Sequence, residues 1–143
     1  MKEENVIVTS LRQTKEFAQK FAQKLKGGDV ICLIGNLGSG KTYLTKFIAE
    51  TLGVEEKEII SPTFVYYRKH KGKKFTVNHF DFYRIEDEFE AESIALDDAL
   101  SKDTITFIEW ADKIPSLLPQ ERITIKIKNL GGEKREFLIR RMP

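Results

Sequence analysis

Asp29-Val30-Ile31-Cys32-Leu33-Ile34-Gly35-Asn36-Leu37-Gly38-Ser39-Gly40-Lys41-Thr42 decides the fold. The first six residues form an apolar run containing β-branched side chains. It is too short for a helix and reads as a strand buried on both faces, as in a parallel sheet. Gly35 to Thr42 matches the pattern G-x-x-x-x-G-K-[ST]. A sharp strand-to-helix turn must aim several backbone N–H groups at one anion, which favours glycine where a Cβ would intrude. The helix opening there offers free N–H groups and its positive dipole end to the same phosphates. Lys41 is placed to bridge the β- and γ-phosphates, and the Thr42 hydroxyl to ligate Mg²⁺. Four fixed positions recur by chance in roughly one chain in a few hundred of this length. The strand before them and the helical spacing of Leu44, Phe47, Ile48 and Leu52 after them make coincidence rarer.

Upstream, Asn5 to Thr9 reads as extended, and Ser10-Leu11-Arg12-Gln13 has the form of a capping box. Behind it Phe17, Ala18, Phe21, Ala22 and Leu25 share one helical stripe, ended by Gly27-Gly28. Downstream, Phe64 to Tyr67 and Phe75 to Phe82 flank the basic run Arg68 to Lys74, predicting two antiparallel strands with a basic tip. Glu86 to Leu100 reads as a helix, either continuous or broken near Ser93, Thr104 to Ile108 as a second buried strand, and Ala111 to Leu118 as a short helix limited by Pro115 and Pro119. Ile123, Ile125 and Ile127 alternate with polar residues, as do Phe137 and Ile139 after the turn Asn129 to Gly132. They predict a C-terminal hairpin with one wet face. The expected fold is α/β, one P-loop NTPase domain over residues 1–143. It has three layers, a mixed parallel/antiparallel central sheet and a closing β-hairpin, with strand order left open.

The 143 residues, 41% hydrophobic and 32% charged, suit one soluble globular domain with a real core. No apolar run approaches the roughly 18 residues that span a bilayer, and the acidic start Met1 to Asn5 does not read as a signal peptide. The single cysteine, Cys32, lies inside the apolar run and reads as buried and inert in a reducing compartment, so a cytoplasmic address is expected. A formal net charge of +2 decides nothing about nucleic acid, yet the charge is uneven: basic over 68–74, acidic over 86–92.

A P-loop needs an acid at the end of a neighbouring strand to hold Mg²⁺ directly or through water. Glu109, which follows Thr104 to Ile108, is the better candidate. Asp81, in His79-Phe80-Asp81-Phe82-Tyr83-Arg84, is the second, with a turn or a pairing to Arg84 as its structural alternative. His79 reads as a packed or hydrogen-bonded histidine rather than a ligand, since no second His or Cys supports a metal cluster. Trp110 is either core packing or a surface in the site. Ser61-Pro62-Thr63-Phe64 is either a Pro-initiated turn or a hydroxyl placed where switch segments sense the γ-phosphate.

Together, Gly35 to Thr42, Ser61 to Phe64, His79 to Arg84 and Ile108-Glu109-Trp110 resemble, in this order, the TsaE family. That family is the bacterial ATPase component of the machinery that makes threonylcarbamoyladenosine (t6A) in tRNA. The resemblance covers essentially the whole chain, and its specificity rests on the last three blocks. It implies binding and hydrolysis of ATP with Mg²⁺, together with a TsaB–TsaD heterodimer that transfers threonylcarbamoyl to the adenosine beside the anticodon. Contact with tRNA would be indirect, through that complex, and no membrane is involved. Carried across, Asn36, Gly38, Ser39, Gly40, Lys41, Thr42 and Tyr43 contact the nucleotide, with Thr14 close to it. Lys41, Thr63, Asp81 and Glu109 are catalytic, and Thr42, Glu109 and Asp81 hold the metal. Family members often carry a glycine where this chain reads Ile94-Ala95-Leu96.

An isolated chain of this kind is expected to be a slow ATPase, because phosphoryl transfer needs charge beyond Lys41 and Mg²⁺, and Arg84 is the internal candidate. The alternative is a small-molecule P-loop kinase, against which stands the lack of an arginine-rich lid or chain for an acceptor pocket. A regulatory GTPase would carry Asn-Lys-x-Asp, which does not occur. A plain RNA-binding module built on 68–74 would leave the P-loop unexplained.

Overall fold

The computed structural model describes residues 2–35, 40–55, 67–86, 88 and 100–142, without the side chain of Thr42. Outside them lie Asn36, Gly38 and Ser39 of the phosphate loop, the Ser61 to Phe64 block with Thr63, Val65 and Tyr66, and most of the segment Glu86 to Leu100, with Ile94 to Leu96. The chain runs β1 (Lys2–Val8), α1 (Leu11–Gln23), β2 (Val30–Ile34), α2 (Lys41–Thr51), β3 (Tyr67–Lys71), β4 (Thr76–Asp81), β5 (Thr104–Glu109), β6 (Arg122–Gly131) and β7 (Lys134–Met142). The sheet order is β1-β7-β6-β2-β5-β4-β3. β6, β2, β5 and β4 are mutually parallel, and β3, β7 and β1 add antiparallel pairings at the flanks.

β2 is central because its sequence suits no other position. Val30 to Leu33 are all buried, and period two sends them to two different cores. Ile31 and Leu33 join the cluster under α1 and α2, with Val77, Ile105, Phe107 and Ile125. Val30 and Cys32 face the opposite layer with Phe80, Phe82, Ile108, Ala111 and Ile114. Each large apolar side chain so buried contributes about 1.5–3 kcal/mol. The polar residues on this second face are satisfied across the strands. Tyr67 Oη donates to Asn78 Oδ1 at 2.9 Å, and Asn78 Nδ2 donates to Thr106 Oγ1 at 3.2 Å.

α1 carries the expected stripe, with Ala18, Phe21 and Ala22 buried. Ser10 is its N-cap, accepting from Gln13 N. The Gln13 side chain reaches back one residue further than a capping box requires, to Thr9 N at 2.7 Å. Three expectations change. The basic run is not a tip: Tyr67 to Lys71 is itself the edge strand β3, and the turn after it is Gly72 to Phe75. Exposed Lys69 and Lys71 on either side of buried His70 suit an edge strand, one side of which meets water. The helix expected over Ala111 to Leu118 is instead two 3-10 turns, Ala111–Lys113 and Pro115–Leu117, because Pro115 supplies no N–H to continue the first. The opening strand is longer than expected, Lys2–Val8, since β7 offers it a full antiparallel partner. No helix among the described residues is long and apolar enough to cross a membrane.

Candidate nucleotide and metal site

β2, β4 and β5 end at one level, and the phosphate loop leaves β2 there. Ligands of open α/β sheets bind in the crevice outside the carboxyl ends of the parallel strands. Register makes the convergence specific: Leu33 pairs with Glu109, and Glu109 with Asp81. Because side chains alternate, His79, Asp81 and Glu109 continue the face of Val77, Ile105 and Phe107, the face under α2. Two further bonds close this end, Phe82 N to Glu109 O at 3.1 Å and Trp110 N to Leu33 O at 3.2 Å.

Lys41 opens α2 beside these carboxylates and is 6% exposed. Its Nζ donates to Gly35 O and stands 4.1 Å from the centroid of Trp110. Burial lowers the Lys41 pKa below its ordinary value, opposed by the charges of Glu109, Asp81 and Asp112. Burial likewise raises the Asp81 pKa, and the Glu109 charge adds to it. The Tyr83 N–H, His79 and Lys41 work the other way. Glu109 is 3% exposed, and its Oε2 lies 2.6 Å from His79 Nε2. His79 is thus the hydrogen-bonded histidine expected, and its partner is the acid itself. Asp81 Oδ1 accepts from Tyr83 N at 3.0 Å, so it also serves the turn.

Gly40 is the N-cap of α2 with φ 104°, a conformation that L side chains rarely adopt. An added Cβ there would sit 3.1 Å from Arg135 Nε. Trp110, with φ 59°, is the sole non-glycine residue in the left-handed region among those described. Such strain concentrates at functional sites, and here it lays the indole over Lys41. Beside Gly40, a cavity of about 240 Å³ is lined by Leu11, Thr14, Gly40, Tyr43, Gly132, Glu133, Arg135 and Phe137. Thr14 is buried, its hydroxyl donating to Ser10 O at 3.3 Å. Tyr43 is half exposed and stacked on Phe47.

The structure therefore brings together Lys41, Asp81 and Glu109, and places Thr14, Gly40 and Tyr43 around the adjoining cavity. Thr42 follows Lys41 in the first turn of α2. Asn36, Gly38, Ser39 and Thr63 lie outside the described residues. The sequence did not reveal Glu133 and Arg135, which line the cavity beside Gly40 from the β6–β7 hairpin. Arg135 Nη1 is fixed by Asn129 Oδ1 and by the carbonyls of Gly132 and Lys134. Nor did it reveal Lys113, whose Nζ donates to Tyr83 O and stands 5.5 Å from the Trp110 centroid. The approach of Arg135 to Gly40 and of Lys113 to Tyr83 joins segments distant in sequence and leaves no local pattern.

The donors near Lys41 are carboxylate oxygens, which suit a hard cation such as Mg²⁺. Among the described residues no group of three His, Cys, Asp or Glu side chains could hold a metal. A sparse protein set completed by phosphate oxygens is how Mg²⁺ is usually bound.

A buried strand, a helix whose N-cap is glycine and whose first residue is lysine, and acids at the ends of β5 beside that strand and β4 beyond it define a P-loop fold. Residues 8–137 match the family model described as "Threonylcarbamoyl adenosine biosynthesis protein TsaE". The chain belongs to the TsaE family. It is 39% identical over 129 residues to the tRNA threonylcarbamoyladenosine biosynthesis protein TsaE of Rickettsia bellii, covering 90% of this chain and 89% of that one. It is 40% identical over 125 residues to the Bacillus subtilis protein of the same name, covering 87% and 77%. The crystal structure of Bacillus subtilis YdiB superposes with a TM-score of 0.83 at 30% identity, over 99% of this chain and 87% of that one.

Proposed function

We propose that this chain binds and hydrolyses Mg·ATP in the cytoplasm as part of t6A synthesis on tRNA, acting with a TsaB–TsaD pair. The observation that carries the reading is the convergence of Lys41 with Asp81 and Glu109 at the carboxyl ends of β2, β4 and β5. The Lys41 ammonium exchanges the Gly35 carbonyl for phosphate oxygens, and the Trp110 ring shields it from water. Thr42, Glu109 and Asp81 would hold the cation, which would supply positive charge to offset that of the phosphates. His79 keeps the Glu109 carboxylate in one orientation. Thr14, Tyr43 and Arg135 line the space for the base and ribose, and Asn36, Gly38, Ser39 and Gly40 cradle the phosphates. Thr63 senses the γ-phosphate.

Turnover by the chain alone is slow in this reading. Lys113 is committed to the carbonyls of Tyr83 and Ile85, and Arg84 stands exposed on the same turn. The remaining charge stabilisation is completed when the partners dock. Mg·ATP hydrolysis is measured for the chain alone and with the purified pair, with Lys41→Ala as the blank. Strong stimulation that the blank abolishes is the expected result. Equal rates with and without the pair would overturn the gating and favour a small-molecule kinase using the same loop.

A further inference from the structure

The opposite end of the sheet, where the parallel strands begin, has no part in the site described above. Three segments meet there. The α1–β2 turn contacts the turn before β5 through Gly28 N to Thr104 O at 2.8 Å, and Gly27 lies against the Lys102 carbonyl and Phe75. The turn after β3 is tied to the same level by Thr76 N to Asp103 O and by Lys73 N to Leu52 O, both 3.0 Å. Together these segments present Lys24, Lys26, Lys71, Lys73, Lys74 and Lys102, all exposed. Their carboxylates are Asp29 and Asp103, with Glu121 beside the α1–β2 turn just before β6, and Asp29 is occupied in accepting from Lys26 N at 2.8 Å.

The same end continues into a basin of about 280 Å³ between α1 and the β1–β7 pair, where Lys2, Lys24, Lys26 and Arg141 face Glu3 and Glu4. Glu3 is already bound by Arg140 at 2.9 Å. Across the ladders Lys2 is level with Arg141, Ile31, His79 and Arg68, three residues or about 10 Å along the strands from the Lys71–Thr76 pair. Six strand spacings separate β1 from β3, ~28 Å. In a chain of net charge only +2, that is a concentration of positive charge at one pole.

We infer that this pole is an RNA-binding surface that holds the phosphate backbone of tRNA. Its cations are mostly lysines, point charges suited to phosphate rather than to bidentate reading of bases, so contact is sequence-independent. Protein interfaces instead deplete lysine and enrich aromatics at their centre. Among the described residues the exposed large apolar ones, Ile7, Tyr43, Tyr83 and Leu130, lie outside these segments. The choice of tRNA rests on membership of a tRNA-modification family and not on the proposed hydrolysis.

The test is binding of labelled tRNA to the full chain across a series of NaCl concentrations. The pole variant is Lys24→Gln/Lys26→Gln/Lys102→Gln, and the control is Lys126→Gln/Lys128→Gln/Lys134→Gln, which removes equal charge at the hairpin end. The pole variant is expected to bind about tenfold or more weakly near 0.1 M salt, with a log–log salt slope shallower by about 2–3. The control and Lys41→Ala are expected to bind as the parent chain does, the latter separating this inference from catalysis. Equal losses in both triple variants would reduce the effect to net charge and overturn the inference. So would unchanged tRNA binding by the pole variant, including the case where it loses an acidic protein partner instead.

Discussion

A carboxylate at the end of β4 is costly to bury, and Asp81 is held there by what faces it. Burial raises its pKa, so its ionised form is disfavoured in the folded chain, and the nearby Glu109 charge makes this worse. Asp81→Asn keeps an oxygen for the Tyr83 N–H and removes the charge. The expected outcome at neutral pH is a melting temperature raised by a few degrees, with hydrolysis lost, a trade common at active sites. Differential scanning fluorimetry and an ATPase assay on one preparation read both, and a lower melting temperature would contradict the account. His79 offers a second test through its 2.6 Å bond to Glu109. His79→Ala should weaken Mg²⁺-dependent activity about 10–100-fold, the usual effect of losing an orienting partner. His79→Gln, which retains a donor, should recover part of it in a Mg²⁺ titration of rate. Cys32 reports on the other core. Burial pushes its thiol up to about 12 from 9.0, with Arg122 opposing. Between those values the unfolded chain loses the proton and the folded one keeps it, so stability falls as pH rises. Urea unfolding from pH 8 to 10.5 should show a loss of up to about 1.4 kcal/mol per unit that is absent in Cys32→Ala.

Elements here were legible where one local pattern sufficed and obscure where partners came from afar. β2 and α2 could be read from the P-loop segment because a buried strand, a glycine turn and an amphipathic helix are each written in consecutive residues. Glu109 and Asp81 could be read as strand-end acids, since the apolar runs before them set their level. The edge position of β3 was obscured, because a basic, aromatic strand resembles a loop until its partner β4 is known. The β6–β7 hairpin was legible, yet its placement of Arg135 against Gly40 was not. The same distinction predicts how two glycines behave. Gly27 sits so close to the next turn that a Cβ would lie 1.9 Å from Lys102 O, a backbone atom with little room to move. Gly131, φ 110°, has nothing within 4 Å of an added Cβ. Gly27→Ala must separate two turns and should cost about 1–3 kcal/mol. Gly131→Ala carries only backbone strain and should cost about 1 kcal/mol. Equilibrium urea unfolding ranks them, and a larger loss at Gly131 would show that the two turns part easily.

Across the whole molecule, the candidate site and the basic pole are joined by one sheet whose central strands are buried on both faces. The candidate site is built less economically: Lys41, Asp81 and Glu109 are ionisable groups in one buried corner, and the attraction of Lys41 for the two acids only partly offsets their desolvation and their repulsion of each other. A ligand that supplies phosphate to Lys41 and a cation to the acids relieves both costs together. Mg·ATP should therefore stabilise the fold by more than either component alone. At a hundredfold excess over Kd the linkage is ~2.7 kcal/mol, which for a chain of this size raises Tm by about 5–10 °C. Adding EDTA should remove most of that shift, and Lys41→Ala nearly all of it. If ATP without metal gave the full shift, the two acids would be structural companions of Lys41 rather than holders of a cation. If Lys41→Ala retained the shift, the phosphates would bind elsewhere, and the convergence of three strand ends would need another explanation.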